Sequence, residues 1–105
     1  MNIFKDQVAV ITGGASGIGK AFAYQFGSEG MKVVLADIEE NSLNNTVEEL
    51  QSHDIEVIGV ITDVSNQKDV ENLYKKTIEH FGKVHVLCNN AGVAGDLDFV
   101  GQRNK

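Results

Sequence analysis

The chain has no proline and a single cysteine among its 105 residues. One cysteine excludes an internal disulfide. Cys88 lies inside the apolar run VHVLC and reads as a buried structural thiol. Basic residues are also few: Lys and Arg number 9 against 15 Asp and Glu, for a formal net charge of −6. Nucleic-acid binding needs clustered positive charge to face phosphates. The only adjacent basic pair, Lys75-Lys76, falls in a helical pattern as solvated surface, so no nucleic-acid partner is expected.

Long apolar runs are missing too. No stretch approaches the roughly 20 residues that span a bilayer. The opening MNIFKDQ has no apolar core of a signal peptide. No membrane partner and a cytoplasmic location are therefore expected. His53, His80 and His85 show no metal-ligand spacing with Cys88, so no metal site is expected. His53 and His80 fall at helix ends and read as capping residues. There is no low-complexity tract and no internal repeat, and a chain of this length makes one domain at most.

What is present is an alternation. Short runs rich in Val, Ile and Leu cover residues 8–11, 32–36, 55–62 (broken by Gly59) and 84–88. Such runs suit strands buried on both faces. Between them the period changes to that of a helix. Ile18, Phe22 and Phe26, joined by Ala21, mark a first apolar face, with Gly30 as its stop. Leu43, Val47 and Leu50 mark a second, from near residue 39 to near residue 53. Val70, Leu73, Tyr74, Thr77, Ile78 and Phe81 mark a third, with Ser65 as N-cap and Gly82 as stop. Strands alternating with helices imply right-handed crossovers and a parallel sheet, an α/β fold.

The stretch between the first strand and the first helix is rich in glycine. Free N–H groups at a helix N-terminus attract an anion, and glycine lets it come close. The spacing Gly13-x-x-x-Gly17-x-Gly19 differs from G-x-G-x-x-G, because Phe22 stands where a small residue is needed. It also differs from a P-loop, because Lys20-Ala21 lacks the Ser or Thr that would hold magnesium. A glycine loop alone is a weak signal. Asp37, at the end of the second strand, adds to it: an acid there bonds ribose hydroxyls and repels a 2′-phosphate. The next residue is Ile38, not a basic one, which favours NAD over NADP.

Three motifs now coincide. Thr12-Gly13-Gly14-Ala15-Ser16-Gly17-Ile18-Gly19 resembles the TGxxxGxG cofactor loop of short-chain dehydrogenases/reductases. Asn89-Asn90-Ala91-Gly92 resembles that family's NNAG motif, and Asp63-Val64 resembles its adenine-contacting pair. The resemblance covers about residues 3 to 95 and implies a Rossmann-type doubly wound parallel sheet. About four strands, in the order 3-2-1-4, and three helices would be present here. Residues 1–95 would be the NAD(P)-binding half-domain and 96–105 a polar tail.

The resemblance also implies roles. Thr12 would tie the loop to the Asn-Asn segment, and Gly13, Gly17 and Gly19 would shape the pyrophosphate cradle. Ser16 and Ile18 would line the cofactor path. Asp37 would hold the adenosine ribose, Asp63 the adenine amino group, and Val64 the ring. Asn90, Ala91 and Gly92 would edge the nicotinamide ribose. Plainer readings stay open for Asp37 as a helix N-cap, Asp63 as a turn residue and Asn90 as a loop-capping amide.

The family's chemistry is hydride transfer between NAD(P) and an alcohol or carbonyl, using a Tyr-x-x-x-Lys pair with a nearby serine. Tyr24 is followed four residues on by Ser28 and Tyr74 by Ile78, so neither supplies the pair. Both tyrosines lie on apolar faces and read as core. No catalytic residue is assigned. The expectation is the cofactor-binding half of a short-chain oxidoreductase, silent by itself, whose chain stops early. The alternatives are a dinucleotide-binding module without chemistry and a self-associating interaction module. With later strands missing, the fourth strand would be an open apolar edge and the third helix would lack neighbours. Either self-association, including pairing through the fourth-strand edge, or marginal stability is therefore expected.

Overall fold

The computed structural model describes residues 4–15 and 17–90. Along the chain come β1 (Val8–Thr12), α1 (Gly17–Ser28), β2 (Lys32–Asp37), α2 (Glu40–Gln51), β3 (Val57–Ile61), α3 (Gln67–Phe81) and β4 (Val86–Asn89). The strands form one parallel sheet in the order β3-β2-β1-β4. Val10 pairs with Val34 on one side and Leu87 on the other, and Leu35 pairs with Gly59. This is the expected Rossmann-like α/β fold.

Strand alternation splits the core in two. Ile11, Val33, Leu35, Val57 and Cys88 face the side covered by α1 and α2, where Ala23, Leu43 and Leu50 meet them. Val8, Val10, Val34, Ala36 and Val60 face the other side, where among the described residues only α3 lies and Leu73 is the buried contact. The central strands β1 and β2 are buried on both faces, which is why they read as continuous apolar runs. Glycine permits the close helix approach at β3: a Cβ at Gly59 would lie 2.9 Å from Val47 Cγ2 and 3.1 Å from Leu43 Cγ.

Several boundaries move from the sequence expectation. β3 begins at Val57, because Ile55 closes the end of α2 by donating its N–H to Leu50 O. β4 begins at Val86, because the His85 ring takes the Val8 N–H on Nδ1 (2.9 Å), a partner that a strand carbonyl would otherwise be. The N-cap of α3 is Asn66, whose side chain accepts from the Asp69 N–H; Ser65 instead bonds Asp63. Gly82 closes α3 in the left-handed region, as expected. His53 meets expectation as well, with Nδ1 2.9 Å from Glu49 O at the end of α2.

Two faces also differ. Ile18 and Ala21 are exposed on α1; its buried face is Gly19 and Ala23, flanked by the half-buried, stacked rings of Phe22 and Phe26. Tyr74 is 59 % exposed and is not core; with Val70 and Ile78 it forms an open apolar stripe along α3. The stripe borders an apolar groove of 240 Å³ lined by Val10, Leu73, Tyr74, Thr77 and Leu87. Among the described residues this agrees with the expectation of exposed apolar surface on the third helix. Among the described residues no helix is long and apolar enough to cross a membrane.

Candidate functional site

The glycine loop leaves β1 at Thr12 and enters α1 at Gly17. Gly13 and Gly17 both have positive φ, 64° and 59°, a region that side chains disfavour. Gly19 is needed for another reason. A Cβ there would overlap the Gly13 carbonyl oxygen, with the Gly13 carbon at 2.8 Å and Asn90 Nδ2 at 3.0 Å. The first turn of α1 therefore packs directly under the loop. That turn carries no acidic residue, so no charge within the helix itself offsets the partial positive charge of its N–H groups.

The described peptides of the loop are held from β2, from α2 and from the end of β4. The Gly13 carbonyl accepts from Asn90 Nδ2 at 3.5 Å. The Gly14 N–H donates to Ala36 O in β2 at 3.2 Å. The Ala15 N–H donates to Asp37 Oδ2 at 3.0 Å, and the Ala15 carbonyl accepts from the Thr46 hydroxyl at 2.9 Å. Thr12 joins the loop to the end of β4. Its hydroxyl donates to Asn89 Oδ1 and accepts the Asn90 N–H, both at 2.9 Å.

Asp37 ends β2 and its second oxygen, Oδ1, accepts from the Glu39 N–H at 3.0 Å. It does not cap α2, whose N-cap is Glu39 without a side-chain bond. Asp63 follows β3. Its Oδ1 accepts from the Ser65 hydroxyl at 2.6 Å and the Ser65 N–H at 2.9 Å. The Ser65 hydroxyl, then the Ser65 amide, hold the Asp63 carboxyl below the usual carboxylate range. Asp69, in the first turn of α3, accepts the Asp63 N–H. Gly13, Asp37, Ile38, Asp63 and Val64 line one cleft of 380 Å³ beyond the carboxyl ends of the strands. Ile38 is 58 % exposed there and Val64 is exposed too. Thr12 and Asn90 stand beside Gly13 through the bonds above. Ser16, Ala91 and Gly92, and the tail 96–105, lie outside the described residues.

Residues without a place in this cleft are explained by packing. The Tyr24 hydroxyl donates to Glu49 Oε2 at 2.6 Å, and Lys20 Nζ pairs with Glu49 Oε1 at 2.9 Å. The Glu49 carboxylate pushes the Tyr24 phenol up, opposite to what an acid/base tyrosine needs. Burial raises the Cys88 thiol as well, so it stays protonated and structural. No metal-holding group of His, Cys, Asp and Glu occurs among the described residues.

Sequence reasoning missed Thr46 and Asp69. The signal for Thr46 was available: a threonine interrupts the apolar face between Leu43 and Leu50. Asp69 carried only the ordinary signature of an acidic first turn.

The fold, the loop spacing and the threonine–asparagine splice define a doubly wound nucleotide-binding class. Residues 7–104 match the family model described as short chain dehydrogenase, and the chain belongs to that family. It is 39% identical to the (2S)-[(R)-hydroxy(phenyl)methyl]succinyl-CoA dehydrogenase subunit BbsD of Thauera aromatica over 89 residues, covering 85% of this chain and 36% of that protein. It is 44% identical to an uncharacterized oxidoreductase of Thermotoga maritima, over 87% of this chain and 36% of that protein. Among solved structures, a short chain dehydrogenase/reductase from Burkholderia phymatum in complex with NAD superposes with a TM-score of 0.80. Identity there is 53%, over 83% of this chain and 31% of the other. The chain thus spans about a third of the length of the relatives it matches (36% of each of the first two).

Proposed function

We propose that this chain is the NAD-binding portion of a short-chain oxidoreductase that acts on an alcohol or carbonyl. The observation that carries the reading is the shared cleft: Gly13, Asp37, Ile38, Asp63 and Val64 come from three strand ends and meet in one space. Cofactor recognition in doubly wound sheets falls in that position. The missing Cβ at Gly19 is the feature of the loop that fits the group, because it lets the helix N-terminus stand directly behind the pyrophosphate. The NAD complex of the Burkholderia phymatum relative supports the same cofactor.

In this reading residues 1–95 are the cofactor-binding half. Gly13, Ser16, Gly17, Ile18 and Gly19 cradle the pyrophosphate and line the path. Asp37 takes the ribose hydroxyls, Asp63 and Val64 the adenine, and Asn90, Ala91 and Gly92 the nicotinamide ribose. When bound, NAD supplies the hydride acceptor. The 105 residues contain no Tyr-x-x-x-Lys and therefore bind without turning over. A cytoplasmic location belongs to the same proposal.

Asp37 should set the choice between cofactors, since its carboxylate repels a 2′-phosphate. Asp37→Ala is expected to weaken NAD about tenfold, the loss of a charged hydrogen-bonding group. The NAD-to-NADP affinity ratio should fall toward one. Calorimetric titration with both cofactors measures this. An unchanged ratio removes the role given to Asp37, and no heat from the unsubstituted chain at millimolar NAD removes the cofactor reading itself.

We further propose that the chain self-associates through the β4 edge and the open stripe of Val70, Tyr74 and Ile78. Light scattering on a size-exclusion column should show a species larger than 11.4 kDa. A stable monomer at high micromolar concentration overturns this.

A further inference from the structure

We propose that Thr46 is a positioning residue of the glycine loop: its hydroxyl clasps the Ala15 carbonyl and so sets the geometry offered to a pyrophosphate. The inference rests on the dinucleotide reading above. Two buried threonines stand on helices of this chain, and they spend their hydroxyls differently. Thr77 donates at 2.8 Å to Leu73 O in its own helix, the ordinary way to satisfy a buried hydroxyl there. Thr46 is just as buried, at 2 % exposure, yet leaves its helix and donates to Ala15 O, 2.9 Å away and 31 residues earlier in the chain. An apolar residue would serve packing at that place between Leu43 and Leu50. A buried hydroxyl there is tolerable only with a partner, and the partner is the loop.

The contact matters because of what Ala15 carries. Its N–H is held by Asp37 Oδ2 and its carbonyl by Thr46, so the residue is fixed on both sides of its Cα. Planar peptides pass that constraint along the backbone toward the α1 N-terminus. Asp37 also faces the ligand cleft, whereas Thr46 approaches from the buried side. Thr46 thus touches no ligand and acts through the loop alone.

The test compares Thr46→Val, which keeps the shape, with Thr46→Ser, which keeps the hydroxyl, and with Thr77→Val as a control for loss of a buried hydroxyl elsewhere. Thr46→Val should weaken NAD and ADP about fivefold to tenfold, the scale of one lost hydrogen bond. Thr46→Ser should stay within about twofold of the unsubstituted chain, and Thr77→Val should lose thermal stability without that affinity loss. Amide hydrogen exchange supplies a readout without ligand: Gly14 and Ala15 should exchange faster in Thr46→Val and not in Thr77→Val. Equal NAD and ADP affinity in Thr46→Val and Thr77→Val, or unchanged exchange at Ala15, overturns the inference while leaving the cofactor reading intact. If the unsubstituted chain binds neither NAD nor ADP, the cofactor reading fails. The exchange comparison then still decides whether Thr46 holds the loop.

Discussion

Gly19→Ala is expected to be the most damaging single substitution in the loop, although it adds one methyl group. In most buried sites the extra methyl pushes a flexible side chain aside. Here the atoms in its way are backbone: the Gly13 carbonyl oxygen would be overlapped, and its carbon stands at 2.8 Å. Gly13 cannot yield freely, since its own φ is 64° and its carbonyl bonds Asn90. The remaining escape is to lift α1 off the sheet, which would open the packing of Ala23 against the core. Overpacking against backbone costs about 3 kcal/mol or more. For a domain of this size that is a fall in melting temperature of more than about 10 °C. Gly17→Ala is the informative comparison. Nothing lies within 4 Å of a Cβ there, so only the positive φ is penalised, about 1 kcal/mol. Thermal unfolding of the two variants side by side decides the point. A Gly19→Ala protein as stable as Gly17→Ala would mean that α1 does not press on the loop as described.

The contrast between these two glycines shows what was readable from the residues. Spacing alone separates the loop from G-x-G-x-x-G and from a P-loop, and the strand runs at residues 8–11 and 32–36 appear because both faces are buried. Alternation and handedness give a parallel sheet, whereas the strand order 3-2-1-4 rests on the family resemblance. Which glycine serves φ and which serves close approach is a tertiary fact: Gly17 and Gly19 look alike in sequence. The same holds for Ile18 and Tyr74. Their helical periods are correct, but period reports a face and not what covers it. The α1 face turned out to be centred on Gly19 and Ala23, small residues that periodicity overlooks. Ser65 was a sound N-cap by type, and Asn66 was one residue better placed; only the competition for Asp63 distinguishes them. Thr46 shows in sequence as a break in the apolar face of α2, but its partner 31 residues away leaves no local pattern.

Thr12→Val should give the second largest loss, because one hydroxyl closes two gaps at once. It is 5 % exposed at the end of β1, donates to Asn89 Oδ1 and accepts the Asn90 N–H. Among the described residues β4 is a short edge strand joined to the sheet only through β1, with four register pairs from Ala9↔Val86 to Thr12↔Asn89. Thr12 therefore fastens the strand at its carboxyl end, much as His85 fastens the other end through the Val8 N–H. Valine keeps the shape and removes both bonds, leaving an amide N–H and a carboxamide oxygen to find other partners. At about 1 kcal/mol for each bond the loss is about 2 kcal/mol. Asn89 is exposed and water can replace part of its bond, so the figure is an upper range for the pair. The effect should also spread. Asn90 holds the Gly13 carbonyl, so loosening its backbone releases the loop from the β4 side. Amide exchange should rise at Asn90 and at Gly14 in Thr12→Val and remain slow in Thr12→Ser. Urea unfolding within about 0.5 kcal/mol of the unsubstituted chain would show that the splice between β1 and β4 carries no weight.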